Sequence, residues 1–480
     1  MLTIPGVEIT VVKELVPRGL GAAGVLGIVG TAERPNTDEA LREVSSLSEF
    51  RELFGAGSVA SMPEVPLAFA NGLKALVCAA VPLESGLASR VDLPFDLFDS
   101  GGATQPTTLT VRARAAGVWG DDLHVRFVTK GSGASRNVDV LVFANAADAA
   151  VDRVAETFRN LSTTAGDPRF FMDVVNAESG FIALPPTVPA FAVGGAVAPV
   201  NTNATLTPIA LTGGSEPTVA EFARALERLE TQRQVDMVIA SNRISDPTTA
   251  TELASAVISH CDLMSRKAAN RIGLGQIPPH GTSRPDIPGA AAMAAALTSD
   301  RFVLTAPSGY VGAVAGLLSK LRFFQSPTFK TLRGIAAPNY DFSDGDLRAL
   351  LNAGLLPIDT LPRKGVAVVK GIATSQYQIN VQRTADRAVR TVQNIAIDYI
   401  GLLNTQAQRS ALRQRIDEAF NAMTRDGALV PSADGLSPPY EVEVTATNAD
   451  AAAGIVRIGI AVRPVRAIDF IYATINVRAF

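Results

Sequence analysis

Hydrophobic residues along this chain follow two rhythms that take turns. In some stretches they recur every third or fourth position, the spacing of one helix face. In others they alternate with polar residues or run unbroken for a few positions, the patterns of half-buried and fully buried strands. The run VLGIVGT predicts a buried strand over Val25–Thr31. Ser46 or Ser48 starts a short helix over Leu47–Phe54, a helix follows around Pro66–Leu73, and a second apolar run predicts a strand at Ala75–Val81. Such alternation predicts a sheet layered with helices.

Between about Pro94 and Ser215 the rhythm changes. TTLTVRARA, DLHVRFVTK and NVDVLVFAN are short alternating segments bounded by Gly and Asn, and they predict a mostly β insertion. It ends in a tract, Phe181 to Ser215, that has no charged residue and carries Pro185, Pro186, Pro189, Pro199 and Pro208. That proline density excludes a spanning helix and predicts a surface hairpin or extended loop, with a partner-contacting arm as the other reading. From Thr218 the α/β pattern resumes. Helices are predicted at Val219–Glu230, Pro247–His260, Gly289–Leu297 and Val311–Arg322, with strands at Met237–Ala240, Asn270–Leu274 and Phe302–Thr305. A last block opens with a strand at Val366–Lys370, continues with helices over Ala385–Leu403 and Ala407–Arg425, and closes with strands Tyr440–Thr447 and Ile455–Val462.

Both ends read as strands that lack a hairpin partner. Val7, Ile9 and Val11 alternate with Glu8 and Thr10, and the connector KELVPRGLG that follows bears Pro17, Gly19 and Gly21. Ile471, Ala473, Ile475 and Val477 alternate with Tyr472, Thr474 and Asn476, and the connector RPVRA before them bears Pro464. Such strands must find a sheet elsewhere, in their own chain or in another. The layout predicted is an α/β core over 21–93 and 216–364, an inserted β-rich domain over 94–215, an α+β C-terminal domain over 365–467, and strand-like arms at 1–20 and 468–480.

Composition narrows the function classes. The 43 basic and 46 acidic residues are interspersed and sum to −3, with no basic stripe of the kind that favours nucleic acid. A hydrophobic share of 47% with 19% charged residues describes a globular protein. Cys78 and Cys261 are the only cysteines, which excludes a disulfide framework and fits a reduced compartment; with three histidines they supply a metal site poorly. The opening residues lack the pattern of a secretory signal. The smoothest apolar stretch, Gly19 to Ala32, falls short of the roughly 18–20 residues that span a bilayer. Synthesis in the cytoplasm without membrane insertion is expected.

Candidate chemistry adds little. GLGAAG, Gly19 to Gly24, has the spacing of a dinucleotide fingerprint, but a strand follows where the motif needs a helix. No Gly-Lys-Ser/Thr closes a glycine loop, and GYVGAVAGLL contains no nucleophile elbow. His260, Cys261 and Asp262 are consecutive, so on a helix they point about 100° apart and cannot act as a relay. His124 and His280 stand alone, and Asp121 with Asp122 reads as a solvated turn. No catalytic, cofactor-binding or metal-binding residue is predicted. In AQRSALRQRIDEAFNAM, Leu412, Ile416, Ala419 and Met423 form an apolar stripe, with Arg409, Arg413 and Arg415 off it, either solvated or steering an acidic partner surface.

Read in order, PGVEITVV, GIVGTAERP, SLSEFRELFG, AETFRNLS, VVNAESGFI, LTGGS, INVQRTADRAVR and IAVRPVRAIDFIYATINV resemble contractile tail sheath proteins. That family includes the sheaths of phage tails, R-type pyocins and extracellular contractile injection systems. LLSKLRFFQSPTFKTLRGI and GVAVVKGIATS depart from the family pattern, which suggests a divergent branch. The resemblance implies a subtilisin-like α/β core without its catalytic residues, an outer β insertion and a C-terminal domain lining an inner tube. It implies that Val7–Val11 and Ile471–Val477 join sheets of neighbouring subunits, that Pro17, Gly19, Gly21 and Pro464 act as hinges, and that no cofactor is needed. A helical homo-oligomer of stacked six-fold rings is implied, with a tube protein, a baseplate and a cap as partners, in a particle that stays cytoplasmic or is released. The α/β alternation taken alone leaves an enzyme open, and the terminal strands taken alone leave a static tube or lattice open.

Overall fold

The computed structural model describes residues 24–36, 40–82, 86–98, 104–131, 137–185, 196–199 and 207–469. The strands predicted at Val7–Val11 and Ile471–Val477, and the predicted hinges Pro17, Gly19 and Gly21, lie outside the described residues. Among these residues the chain divides into two units. One is Gly24–Arg383 with the chain from Arg466, and the other is Thr384–Val465.

In the larger unit the first apolar run forms β1 (Val25–Gly30), every residue of which is buried. A short β2 (Glu43–Val44) and a second fully buried strand, β3 (Ala75–Ala80), follow. The insertion supplies β4 (Arg90–Phe98), β5 (Thr104–Ala113), β6 (His124–Lys130), β7 (Asn137–Phe143), β8 (Glu156–Ser162), β9 (Ile182–Ala183), β10 (Ala196–Pro199) and β11 (Ile209–Ala210). After it come β12 (Val235–Ala240), β13 (Ile272–Gln276), β14 (Phe302–Ala306), β15 (Leu356–Leu361) and β16 (Gly365–Val368). The large sheet has the order β16-β15-β14-β13-β12-β1-β3-β2. Its six inner strands are parallel, and β2 and β16 are antiparallel caps at the two edges.

Period-two alternation sends side chains of one strand to two cores. Val25 and Val29 face the core covered by helices Val219–Arg228, Pro247–Arg266, Ile287–Ala296 and Asp344–Asn352. Leu26 and Ile28 face the one covered by Leu47–Phe54, Glu64–Ala70 and Val311–Lys320. Burial on both faces explains why these strands read as unbroken apolar runs. Most helices begin at a polar residue that accepts a backbone N–H: Ser46, Thr218, Asp246, Asp286 and Ser343. Helix Val311–Lys320 packs backbone to backbone on Glu64–Ala70, because a Cβ at Gly312 would lie 2.2 Å from the Glu64 carbonyl oxygen and one at Gly316 2.1 Å from that of Ala68.

The insertion folds into two four-stranded sheets, β10-β4-β5-β9 and β11-β6-β7-β8, around a shared core. Phe95 and Phe127 meet edge to face at 5.4 Å, and Phe171 stacks 6.1 Å from Phe95. The charge-free tract supplies β9, β10 and β11, which seal sheet edges. An edge strand has one unpaired side, so Pro199 is accommodated in β10.

Several boundaries differ from the sequence pattern. The insertion's first strand starts at Arg90 rather than 94. β15 and the helix Asp344–Asn352 carry no predicted element, and the helix predicted to end at His260 continues to Arg266. The strand near 366, grouped by sequence with the last domain, pairs with β15 and buries Val366, Ala367 and Val368. The larger unit therefore continues to Arg383.

The smaller unit holds most of helix Ile379–Ile397, helix Gln406–Arg425, and the antiparallel pair β17 (Tyr440–Thr445) and β18 (Arg457–Val462). No helix among the described residues is long and apolar enough to cross a membrane.

The packing of Gly312 and Gly316 gives a direct test. Gly316→Val is expected to destabilise the subunit by roughly 3 kcal/mol, since two helix backbones must separate. A clear fall in thermal midpoint by circular dichroism checks it, and an unchanged midpoint contradicts it.

Candidate functional site

In an open parallel sheet, ligands bind beyond the carboxyl ends of the strands where the connections switch faces. That point here lies between β1, whose connection to β3 crosses one face, and β12, whose connection to β13 crosses the other. The chain itself fills it. Thr31 Oγ1 donates to the Ala116 carbonyl at 2.8 Å, and Ser61 Oγ donates to the Thr31 carbonyl at 2.5 Å. Ser241 Oγ donates to Glu64 Oε2 at 2.5 Å, and Glu216 Oε1 accepts from the Val118 N–H at 3.1 Å. Arg243 reaches Asp122 at 2.8 Å, and Asp121 accepts from the Gly214 N–H at 2.9 Å. Burial raises the pKa of Glu64 and of Glu216, and the Ser241 hydroxyl partly offsets this at Glu64. Two neighbouring buried carboxyls suggest an acid–base pair, yet both are occupied, Glu64 by the Ser241 hydroxyl just past β12 and Glu216 by the Val118 N–H from the root of the insertion. A second tie is the Arg114–Glu33 pair at 2.6 Å, in which Arg114 also donates to the carbonyl of Ile182 and Glu33 accepts from the Gly57 N–H.

The groups singled out by sequence are placed as follows. Gly24 closes the GLGAAG stretch with φ 103° and leads into β1, a strand. His260 and Cys261 are buried on helix Pro247–Arg266. His260 Nε2 accepts from Arg271 at 2.6 Å, and Arg271, fully buried, also donates to the carbonyls of Leu229 and Gln232. Burial and the Arg271 charge lower the His260 pKa to about 4, and burial pushes the Cys78 thiol up to about 12. His124 Nδ1 meets the Asp122 carbonyl at 3.0 Å, and His280 Nδ1 meets that of Ser283 at 2.9 Å. No group of three His, Cys, Asp or Glu suited to a metal occurs among the described residues.

The smaller unit presents a different surface. In the β17–β18 ribbon, Tyr440, Val442 and Val444 pair with Val462, Ile460 and Ile458, so these six share one face. Helix Gln406–Arg425 covers the β17 side, where the Phe420 and Tyr440 rings meet at 5.3 Å and the Tyr440 hydroxyl donates to the Asp417 carbonyl. The β18 side is uncovered: Ile460 is 39% exposed while its partner Val442 is 8% exposed. Ile458 and Val456 continue into a cleft of about 280 Å³ with Ile400, Leu403 and Leu412, of which Ile400 and Leu403 are 79% and 80% exposed. Among the described residues neither long edge of the ribbon has a further strand.

On helix Gln406–Arg425, Leu412, Ile416 and Met423 are buried, Phe420 joins them, and Ala419 is half-buried. Arg409 donates to Asn404, Arg413 lies 3.7 Å from Asp417, and Arg415 lies 3.3 Å from Asp398. Each arginine is therefore held within its own unit. Pro464 bridges antiparallel to Leu429. Beyond it the chain is pinned to the larger unit: the Gln378 side chain brackets Ala467 with two hydrogen bonds, and Lys370 lies 3.5 Å from Asp469. The sequence reading did not single out the exposed Ile400–Leu403 turn.

Three solved structures share this architecture over nearly the whole chain. A sheath tail protein of Listeria innocua is 14% identical, with 92% of each chain covered and a TM-score of 0.51. The helical sheath of the anti-feeding prophage in its contracted state is 14% identical, covers 99% of each chain and scores 0.51. The contracted PVC sheath complex of an extracellular contractile injection system is 12% identical, covers 99% of this chain and 98% of that one, and scores 0.52. The chain thus has the mixed α/β fold of contractile sheath proteins, the likeness its motifs suggested. No protein-family profile and no curated protein matches it by sequence.

The His260–Arg271 contact predicts a pH dependence. Because the folded pKa lies below the ordinary value of 6.5, the unfolded chain takes up the proton first as pH falls. Stability is fully present above pH 6.5 and is lost between 6.5 and about 4, by on the order of 2–3 kcal/mol. His260→Gln, which keeps an acceptor for Arg271, is expected to flatten this part of the profile in thermal melts across that range.

Proposed function

We propose that this chain is the structural subunit of a contractile sheath and not an enzyme. The observation that carries this is the β17–β18 ribbon, which has open edges among the described residues and an apolar face uncovered on one side. The two predicted terminal strands each have the alternating apolar face such an edge accepts. A strand of about six residues added to a foreign sheet gains several backbone hydrogen bonds, each worth about 1 kcal/mol net, and seats alternate side chains against the apolar face. Val7–Val11 and Ile471–Val477 are these strands. The C-terminal one leaves from a root pinned at Ala467 and Asp469, which favours donation of the arm as a unit with its subunit.

With an arm at each end, every subunit gives and receives strands, and a continuous mesh forms around an inner tube. Pro17, Gly19, Gly21 and Pro464 are its hinges, and Arg409, Arg413 and Arg415 lie on the helix that faces the tube. The core is a subtilisin-like scaffold without catalytic residues that runs on through β15 and β16 to Arg383, the insertion from Arg90 to Ser215 is the outer domain, and Thr384–Val465 is the inner one. Subunits stack as six-fold rings between a baseplate and a cap, in a particle built in the bacterial cytoplasm and kept there or released. The extended sheath is metastable, and rigid-body rotation into larger lateral contacts drives the tube through a target envelope. No nucleotide or other cofactor takes part.

Electron microscopy of the purified protein, intact and lacking Ile471–Phe480, tests this reading. The intact chain is expected to form striated tubes of two lengths and the truncated chain none. A single invariant packing instead supports a static lattice, and a small particle of fixed size indifferent to truncation supports an enzyme. Contraction of assembled particles should proceed without ATP, and a strict ATP requirement would sink the stored-energy mechanism.

A further inference from the structure

One face of the larger unit gathers positive charge that its surroundings do not neutralise. No Asp or Glu occurs from Lys320 to Tyr340 or from Thr360 to Ala385. Lys320, Arg322, Lys330, Arg333, Arg363 and Lys364 are all exposed, and none has a carboxylate partner among the described residues. The fold brings them together. Residues 329–332 lie along β16, with Phe329 N–H donating to the Val368 carbonyl at 2.8 Å and Leu332 N–H to that of Val366 at 2.9 Å. Thr331 Oγ1 reaches the Lys364 carbonyl at 3.1 Å, so the β15–β16 turn sits beside Lys330. On the other side, Arg333 N–H donates to the Asn71 side chain at 2.7 Å, and a Cβ at the adjoining Gly72 would lie 3.2 Å from the Lys320 stem.

The backbone here is held in an unfavourable conformation. Phe329 and Arg363 adopt φ of 57° and 62°, the left-handed region that costs a non-glycine residue about 1 kcal/mol or more. The result is an outward Phe329 ring, 50% exposed. Lys364 lies 5.3 Å over that ring and donates to the Phe329 carbonyl. An aromatic ring framed by cations has the composition of an interface anchor.

The chain carries −3 in all, so removing these six positive charges leaves −9 for the remainder. Outside this patch an identical molecule therefore carries a net charge of opposite sign. Contact between the patch and a different surface of the next copy is heterologous, the type that propagates into rings or helical filaments. Resting on the sheath reading above, we propose that the patch centred on Phe329 docks against an acidic surface of a second copy of this chain, as a lateral contact separate from the terminal strands.

The test compares the full-length parent with two variants, Lys330→Gln/Arg333→Gln/Lys364→Gln and Phe329→Gly, by sedimentation of assembled particles over a range of salt. The parent's assembly is expected to weaken with salt, as a screened contact must. The charge variant is expected to need about tenfold more protein to assemble at low salt, roughly 1.4 kcal/mol per subunit, and to lose the salt dependence. Phe329→Gly relieves the backbone, so its thermal midpoint should hold or rise while its assembly weakens, a split that a purely structural residue would not give. If the parent assembles and both variants match it at every salt concentration, this contact is wrong while the sheath reading stands. Loss of co-purifying nucleic acid in the charge variant, with assembly unchanged, also overturns it. A parent that never assembles overturns both.

Discussion

A sheet edge is a row of backbone donors and acceptors that must be paired, covered or left in water. The two units treat this constraint in opposite ways. In the larger unit the long inner strands are kept off the edges: β2 and β16 cap the parallel strands with antiparallel partners, residues 329–332 lie along β16, and the charge-free tract supplies short edge strands to both sheets of the insertion. In the smaller unit the β17–β18 ribbon stands among the described residues as two strands, a size that is marginal without help. One helix supports one half of one face, and Ile460 marks where that support ends.

The same contrast governs chemistry. The carboxyl ends of β1 and β12 form the crevice in which an α/β sheet holds ligands, and there the root of the insertion places Ala116, Val118 and Asp122 against Thr31, Glu216 and Arg243. Two carboxyls with raised pKa are the kind of signal that marks a catalytic centre. Here their hydrogen-bond partners come from the same chain, and burial is the main cause of the shift, with the neighbouring Glu64 carboxyl adding to it at Glu216. Electrostatic perturbation follows from filling the crevice as readily as from using it.

Much of this was legible in sequence where one local pattern decides the outcome. Val25–Gly30 and Ala75–Ala80 are unbroken apolar runs because both faces are buried, and Ser46, Thr218 and Asp246 mark helix starts because each caps one. Legibility failed where distant partners decide. LPIDTL contains a proline and an aspartate and becomes β15 because β14 and β16 flank it. Arg114 and Glu33 are 81 positions apart, and nothing near either residue announces the pair. The predicted helix to Leu403 stops at Ile397, since Gly401 turns at φ 88° and Thr405 caps the next helix. Gly401 and Thr405 are the local signals for that break.

The two strands of chain that enter and leave the insertion run side by side. Leu87 and Ser215 exchange hydrogen bonds at 3.0 Å, and Arg90 and Thr212 do so again one step further on. Adjoining ends let a piece of protein of any size be spliced in without parting the host's own elements, and here Arg114, Ala116, Val118 and Asp122 add ties to Glu33, Thr31, Glu216 and Arg243. The insertion is thus a module joined at one pair of ends and keyed into its host by the residues that fill the crevice. A foreign domain grafted on the same ends would have to cap the crevice as well, and an array built of this subunit would then carry one copy on every repeat.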